Sequence, residues 1–334
     1  MIGLRRETQT RCEDTLTPLT SGAGLLMEAA TSPSHMTEEE HRRQRFWAAA
    51  RHNLTAYIFL APILIFFVVF MALPVVWLFY LSFQHDGILA PAQFAGLDNW
   101  RRTFSDGLVV KCIGNTLYYC VLAIPTVFVL GMIVALSLQG VRRGAALLRI
   151  LIYFPTLQAS LIVALIWTFM IHPDFGLLAL SIRALTGVKV NFLGDPHFAM
   201  PTIAMIEVWK GLGFWSILFL SGLLALPSDL YHAAELDGAG SIRRFFSLTL
   251  PLMKPTFYFG VIFATIVNLQ LFDSVFVLTD GGPVNSTATI AWYIYRSLFT
   301  FSDPGFGATL SFLLVIVVLA LTALQTWLMR ERTP

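Results

Sequence analysis

The residue types that most often carry out catalysis are few and scattered in this 334-residue sequence. Three of its histidines, His172, His197 and His232, are far apart in sequence and are expected in separate loops, and no Ser/His/Asp group or metal-binding spacing of its three cysteines stands out. A phosphate-binding loop requires Gly-x-x-x-x-Gly-Lys-Ser/Thr, but none of the four lysines follows a glycine. The sequence therefore predicts that the chain is not an enzyme, has no ATPase site of its own and binds no cofactor or metal.

Polar residues inside long apolar segments indicate chemistry of another kind. Glu207 and Lys210 are three residues apart, so a helix places them on one face. Charges within a membrane normally face a partner or water, which predicts either a pair that lines or gates a pathway or a buried structural pair. Asn268, Gln270 and Asp273 stand in another apolar segment. The amide of Asn268 offers a donor and an acceptor to hydroxyl groups, or to another helix.

The elements that carry these residues are predicted to be membrane-spanning helices. Hydrophobic residues make up 56% of the chain and charged residues 13%, about half of the charged fraction of soluble domains, and the mean hydropathy is +0.71. Because lipid leaves no backbone group unpaired, long apolar segments form helices. We predict an all-α polytopic membrane protein with six transmembrane helices at about 57–83, 114–138, 149–171, 201–226, 255–278 and 306–329.

The distribution of positive charge predicts the orientation. With the N-terminus inside, the inner segments hold 15 Lys and Arg residues and the outer loops hold 6, so both termini are expected in the cytoplasm. Residues 51–334 then form the transmembrane domain. Residues 1–50 are polar without a long apolar run, which predicts a disordered cytoplasmic tail, unless Met36 is the true start. The net charge of +2 gives no indication of a nucleic-acid partner.

A loop at 228–251, between the fourth and fifth predicted spans, has a distinctive spacing. It contains Ala233-Ala234, then Gly238 after three residues, Leu248 after nine more, and Leu250-Pro251. This order resembles the "EAA" coupling loop of ABC importer membrane subunits, in which a short coupling helix receives mechanical work from a separate ATPase. The sequence departs from the family at two positions, because His232 replaces the usual Glu and Leu248 the usual Ile.

Further motifs resemble the carbohydrate-importer branch of these permeases, the maltose and glycerol-phosphate type. Leu60-Ala61-Pro62 opens the first span and Ser82-Phe83 closes it. Gly96-Leu97-Asp98-Asn99-Trp100 is similar to a motif of the first outer loop, and Leu278-Thr279-Asp280-Gly281-Gly282-Pro283 to a turn after the fifth span. The resemblance covers about residues 55–330.

The resemblance implies roles for particular residues. The expected ATPase-coupling residues are His232, Ala233, Ala234, Glu235, Asp237, Gly238, Leu250 and Pro251. Gly211, Phe214 and Asn268 match positions that contact sugar in maltose-type subunits, and Glu207 and Gln270 are expected on the same substrate pathway. Alternatively, the aromatic residues around Gly211 belong to an interfacial belt.

The resemblance also implies partners and a mechanism. A second permease subunit, two ATP-binding subunits that hold ATP and Mg²⁺, and an extracytoplasmic solute-binding protein are expected in a bacterial inner membrane. The subunit would import a sugar or a sugar-like polyol ester by alternating access. The competing hypothesis is an ion-coupled secondary transporter, which predicts internal repeats that the sequence does not show, and which leaves the coupling loop unexplained.

Overall fold

A computed structural model describes residues 57–85, 93–141 and 143–329. The N-terminal tail predicted at 1–50 and the alternative start at Met36 lie outside the described residues. The chain divides into two units, Met1–Phe67 and Val68–Pro334. The described part of the first unit is helical, and nearly all of its side chains are exposed.

The described residues are predominantly helical. The helices are α1 Tyr57–Leu81, which contains a π turn at Val68–Ala72, α2 Asp98–Ser105, α3 Gly107–Gln139, α4 Ala145–Leu157, α5 Ser160–Met170, α6 Leu177–Thr186, α7 Pro196–Leu224, α8 Ser228–Leu236, α9 Ser241–Leu252, α10 Lys254–Asn268, α11 Asp273–Leu278, α12 Ile290–Tyr295 and α13 Pro304–Met329. Two short antiparallel strands, β1 Gln84–His85 and β2 Gln93–Phe94, pair with Gln84 opposite Phe94.

Four of these helices, α1, α3, α7 and α13, are each long and apolar enough to cross a membrane. The pairs α4–α5 and α9–α10 meet the same criterion only together, and they are bent by 92° and 66°. The described residues therefore contain four continuous spans, or up to six if each bent pair counts as one. Two of the six predicted spans contain a break: the helix within 149–171 is interrupted before Ser160, and the first helix within 255–278 ends at Asn268.

The break between α4 and α5 coincides with a proline and with a hydrogen bond to α7. Gln158 and Ala159 are extended, with ψ of 141° and 135°. Pro155 has no N–H with which to continue a helical ladder. The Thr156 hydroxyl donates a 2.7 Å hydrogen bond to the Lys210 carbonyl, which fixes the end of α4 on α7.

The break after α10 is also stabilised by contacts outside the helix. Phe272 has φ of −133° and ψ of −59°, which is not helical. The Leu271 carbonyl accepts a 2.8 Å hydrogen bond from the buried Thr289 hydroxyl. Since an unpaired carbonyl in an apolar interior is costly, this bond allows the chain to leave the helix there.

The core of the second unit lies where α3 packs on α7. The Phe128 ring lies 4.7 Å from Trp215 and 5.3 Å from Phe219, between ring centroids, and Phe219 lies 5.1 Å from Phe257 of α10. On the other side of α7, α4 approaches so closely that a Cβ at Gly213 would lie 2.6 Å from the Tyr153 Cα. These contacts fix α7 between α3 and α4, which positions the face that carries Glu207.

Two of the sequence motifs form connections between helices. Asn99 is buried and donates hydrogen bonds to the Ser82 and Gln84 carbonyls, at 3.2 Å and 2.9 Å. The turn that contains Asp280 is held by Trp292 Nε1 and Arg296 Nη1, which donate to its two carboxylate oxygens at 2.8 Å and 3.0 Å.

A tyrosine of α12 connects this helix to the start of α3. The Tyr293 hydroxyl donates a 2.7 Å hydrogen bond to Asp106, whose other oxygen caps α3 at Leu108 N. Burial raises the pKa of the Tyr293 phenol, and the hydrogen bond to Asp106 raises it further.

Candidate functional site

An aromatic cavity of about 280 Å³ opens between α3, α7 and α10. Phe214 lies 5.2 Å from Trp215 and 5.6 Å from Phe263, between ring centroids. A Cβ at Gly211 would lie 3.6 Å from the edge of the Trp215 indole, so the glycine leaves that edge uncovered. Aromatic faces of this kind suit the apolar face of a sugar ring. The lining residues are Tyr119, Ala123, Val127, Thr156, Glu207, Val208, Lys210, Gly211, Phe214, Trp215, Phe263, Val267 and Asn268.

A second, more polar cavity of about 200 Å³ adjoins the first. Both are lined by Tyr119, Glu207, Lys210, Val267 and Asn268. The second cavity is also lined by the two helix breaks and their neighbours, at Ser160, Gln270, Leu271, Phe272, Asp273 and Ser274. The charged pair of α7 therefore stands where an aromatic space meets a hydroxyl- and amide-lined space.

Glu207 and Lys210 form hydrogen bonds with α11 and α5, the helices that follow the two breaks. Ser274 donates a short hydrogen bond to Glu207 Oε1, and Lys210 Nζ donates a short hydrogen bond to Ser160 Oγ. Glu207 Oε2 and Lys210 Nζ are 3.8 Å apart, and the two side chains are 18% and 16% exposed. The pair thus lines both cavities and also links α7 to α5 and α11.

Among the residues that the structure describes, the side-chain amides of Asn268 and Gln270 form hydrogen bonds only with carbonyls of their own segment. Asn268 Nδ2 donates to the Ala264 carbonyl at 2.8 Å, and Gln270 Nε2 donates to the Ile266 carbonyl at 3.0 Å. The alternative of an interhelical hydrogen bond at Asn268 is therefore not what the structure shows. The amide oxygens of both residues accept no hydrogen bond from the described chain, which leaves them available to a solute.

The five residues expected on the substrate pathway meet at this site. Glu207, Gly211, Phe214 and Asn268 line the aromatic cavity, and Glu207, Asn268 and Gln270 line the polar one. The sequence did not indicate the hydroxyl partners Ser160 and Ser274. Serines are common in helices, and these two lie 50 and 67 residues from their partners.

The residues expected to couple to an ATPase lie beyond the C-terminal end of α7, and most of them are exposed. On α8, His232, Ala233 and Glu235 are exposed and Ala234 is half-buried. Asp237 caps the helix, and Gly238 follows with φ of +75°, the left-handed conformation expected of a glycine there. Leu236 is 90% exposed, and the coupling-loop motif did not single it out as part of this surface.

Two contacts join α8 to α9. The Tyr231 and Thr249 hydroxyls are 2.8 Å apart, and Arg244 Nη1 lies 3.7 Å from Glu235 Oε2. Leu250 and Pro251 lie on α9, which continues to Leu252. A π turn at Phe245–Thr249 precedes the proline and widens the coil where its ring would otherwise clash.

Comparison with known proteins identifies relatives of the chain. The family described as "Binding-protein-dependent transport system inner membrane component" matches residues 127–333. The sulfoquinovosyl glycerol transport system permease protein SmoG of Agrobacterium fabrum is 30% identical over 297 residues, which are 88% of this chain and 96% of that protein. The trehalose/maltose transport system permease protein MalF of Thermococcus litoralis is 34% identical over 273 residues, 81% of this chain and 92% of that protein.

A solved structure shares the fold. A chain of the bacterial alginate ABC transporter, crystallised with an alginate pentasaccharide-bound periplasmic protein, superposes with a TM-score of 0.76 at 22% identity. The match covers 86% of this chain and 97% of that one. These findings confirm the resemblance that the sequence motifs indicated.

Proposed function

Because the chain belongs to the family of binding-protein-dependent transport system inner membrane components, we propose that it is a permease subunit that imports a sugar or sugar-like solute. The observation that carries the proposal is the paired cavity, which places an aromatic wall beside amides and a charged pair. A sugar needs both, because its ring has apolar faces and its hydroxyls need donors and acceptors. The family and the sugar-transport names of its relatives support this cargo class.

The partner set follows from the same family. We infer a second permease subunit, two ATP-binding subunits that hold ATP and Mg²⁺, and an extracytoplasmic solute-binding protein. The periplasmic protein in the alginate transporter structure supports the last of these. The charge asymmetry of the sequence supports a cytoplasmic location for both termini and the coupling loop, where an ATPase would meet α8.

The coupling surface would transmit force through α9 and α10. His232, Ala233, Ala234, Glu235, Asp237 and Gly238 would contact the ATPase, and Leu250 and Pro251 would position the end of α9. A displacement of α8 acts on α9 through the Tyr231–Thr249 and Glu235–Arg244 contacts. Helix α9 leads at a bend of 66° into α10, whose last residue is Asn268.

This connection gives alternating access a concrete route. Closure of the ATPases would move α8, and α10 would carry the motion to the cavity wall at Asn268. The site would then open to the two sides of the membrane in turn, around the charged pair of α7. Interrupted helices beside a cavity would permit such motion. The backbone groups that lose their helical partners at a break form hydrogen bonds elsewhere, as the Leu271 carbonyl does with the Thr289 hydroxyl.

Isolation of the chain from its native membrane tests the partner set. A tagged chain should retain an ATP-binding subunit and a second permease through purification in mild detergent. The competing hypothesis draws support from the broken helices, which also occur in ion-coupled transporters. A chain that purifies alone and binds sugar in that state would favour that hypothesis and contradict the proposal.

A further inference from the structure

The charged pair where the two cavities meet is only partly satisfied by the protein. The 3.8 Å between Glu207 Oε2 and Lys210 Nζ is longer than a hydrogen bond. Oε2 accepts no hydrogen bond from any described residue, since Ser274 bonds to Oε1. The Lys210 ammonium donates to Ser160 and keeps further N–H donors for which the described residues supply no acceptor. The pair therefore offers an acceptor atom, Glu207 Oε2, beside a donor group, the Lys210 ammonium.

Two adjacent hydroxyl groups match this arrangement. One hydroxyl can donate to Glu207 Oε2 while its neighbour accepts from Lys210 Nζ, because each hydroxyl is both donor and acceptor. A phosphate, sulfonate or carboxylate group has only acceptors when ionised. It could bind Lys210 but would then face the Glu207 carboxylate 3.8 Å from the ammonium.

The remaining charge in the cavity has the same sign as Glu207. Asp273 lines the polar cavity, and its carboxylate has no ion pair or hydrogen bond with the described residues. The described lining therefore holds two carboxylates against one ammonium. In a partly desolvated site, such like-charge contacts are much less screened than in water.

Resting on the function proposed above, we propose that Glu207, Lys210 and Asp273 form a charge filter. The site takes an uncharged solute with adjacent hydroxyl groups and rejects the same skeleton when it carries phosphate, sulfonate or carboxylate. The proposal predicts a different cargo from sulfoquinovosyl glycerol, the charged solute in the name of one relative.

The first test is competitive uptake by the complete complex, including its binding protein and ATPase, in vesicles. The pool contains neutral and anionic partners at equal concentration: glucosylglycerol with sulfoquinovosyl glycerol, trehalose with trehalose 6-phosphate, and glycerol with sn-glycerol 3-phosphate. Mass spectrometry of the vesicle interior should show neutral partners entering on the order of tenfold faster. Equal or faster entry of the anionic partners overturns the filter. Entry of no member of the pool, despite ATP hydrolysis, overturns the proposed function and with it the filter.

The second test changes the charge of the cavity. Asp273→Asn and Glu207→Gln each remove one negative charge with little change in size, and each should raise the anionic-to-neutral uptake ratio several-fold, up to about tenfold. The ratio cancels selection by the binding protein, which is the same in every sample. Asp98→Asn removes the same charge from an exposed position on α2 and should leave the ratio unchanged. An unchanged ratio in both cavity variants, with complex assembly intact by gel filtration, contradicts the filter.

Discussion

Replacement of Gly238 by valine tests whether the left-handed turn after α8 is the coupling element. Gly238 has φ of +75°, and its N–H donates to the Glu235 carbonyl at 3.0 Å while that of Ala239 donates to Ala234 at 2.9 Å. This pair of bonds is the Schellman arrangement, which needs a left-handed residue. A Cβ at Gly238 would meet no atom within 4 Å, so the cost of a β-carbon within this chain is conformational and not steric.

The magnitude follows from that geometry. A residue with a Cβ costs about 1–2 kcal/mol in the left-handed conformation, which lowers the population of the observed turn by a factor of roughly 5 to 30. Solute-stimulated ATP hydrolysis and uptake should fall together by a similar factor in Gly238→Val. Membrane insertion should be unchanged, because insertion depends on the apolar spans.

A neighbouring glycine supplies the control. A Cβ at Gly240 would also meet no atom within 4 Å, but the φ of Gly240 is −64° and its ψ is 164°, which valine adopts readily. Gly240→Val should therefore retain most of the coupled activity. Gly238→Asn should lie between the two valine variants, since asparagine tolerates the left-handed region. Equal loss in Gly238→Val and Gly240→Val would refute the conformational argument, and normal transport in Gly238→Val would refute the role of the loop.

The remaining predictions concern the cavity, the proposed ATPase contact and the hydrogen bond between Tyr293 and Asp106. Asn268→Leu should lower the uptake rate by the equivalent of about 1 kcal/mol of activation free energy, with complex assembly intact. Unchanged uptake kinetics would mean that Asn268 has only a structural role. His232→Ala should change ATPase activity little and Glu235→Ala should reduce it strongly, because Glu235 on the same face would supply the acidic contact; the opposite result would reject this assignment. Tyr293→Phe should lower the unfolding temperature in detergent near pH 7, because the hydrogen bond to Asp106 is lost. The raised pKa of Tyr293 makes its contribution complete below about pH 10 and lost as pH rises further, so the difference between the two proteins should shrink in alkali; a constant difference would contradict this.

Local features of the fold could be predicted from the sequence, because they depend on neighbouring residues. The conformation of Gly238 follows from its place after a short helix. The apolar segments also predicted the long helices α3 and α7. Their C-terminal ends lie within a few residues of the predicted ones, and both helices begin earlier than predicted.

The breaks in the third and fifth spans could not be predicted in this way. Pro155 within an apolar segment is compatible with a simple kink, and nothing nearby in sequence shows that Gln158 is extended. The second break depends on Thr289, whose hydroxyl bonds to a carbonyl 18 residues earlier. Such partners become visible only when the helices are packed.

The candidate site was predictable in its composition but not in its connections. Glu207 and Asn268 stand out as polar residues in apolar segments, and the structure places them on the same cavities. The bonds of the charged pair to Ser160 and Ser274 cross between helices, and a serine in a span ordinarily bonds to its own helix. No sequence pattern therefore indicates the network that links the pair to α5 and α11.

ATP-dependent uptake in vesicles tests the central claim most directly. The chain is reconstituted with its copurified second permease and binding protein, and uptake of the trehalose and glucosylglycerol pool is measured with active ATPase subunits, with hydrolysis-deficient ATPase subunits, and with none. The proposal predicts solute accumulation only with active ATPases and internal ATP. Accumulation without them, driven by a proton or sodium gradient, would contradict it.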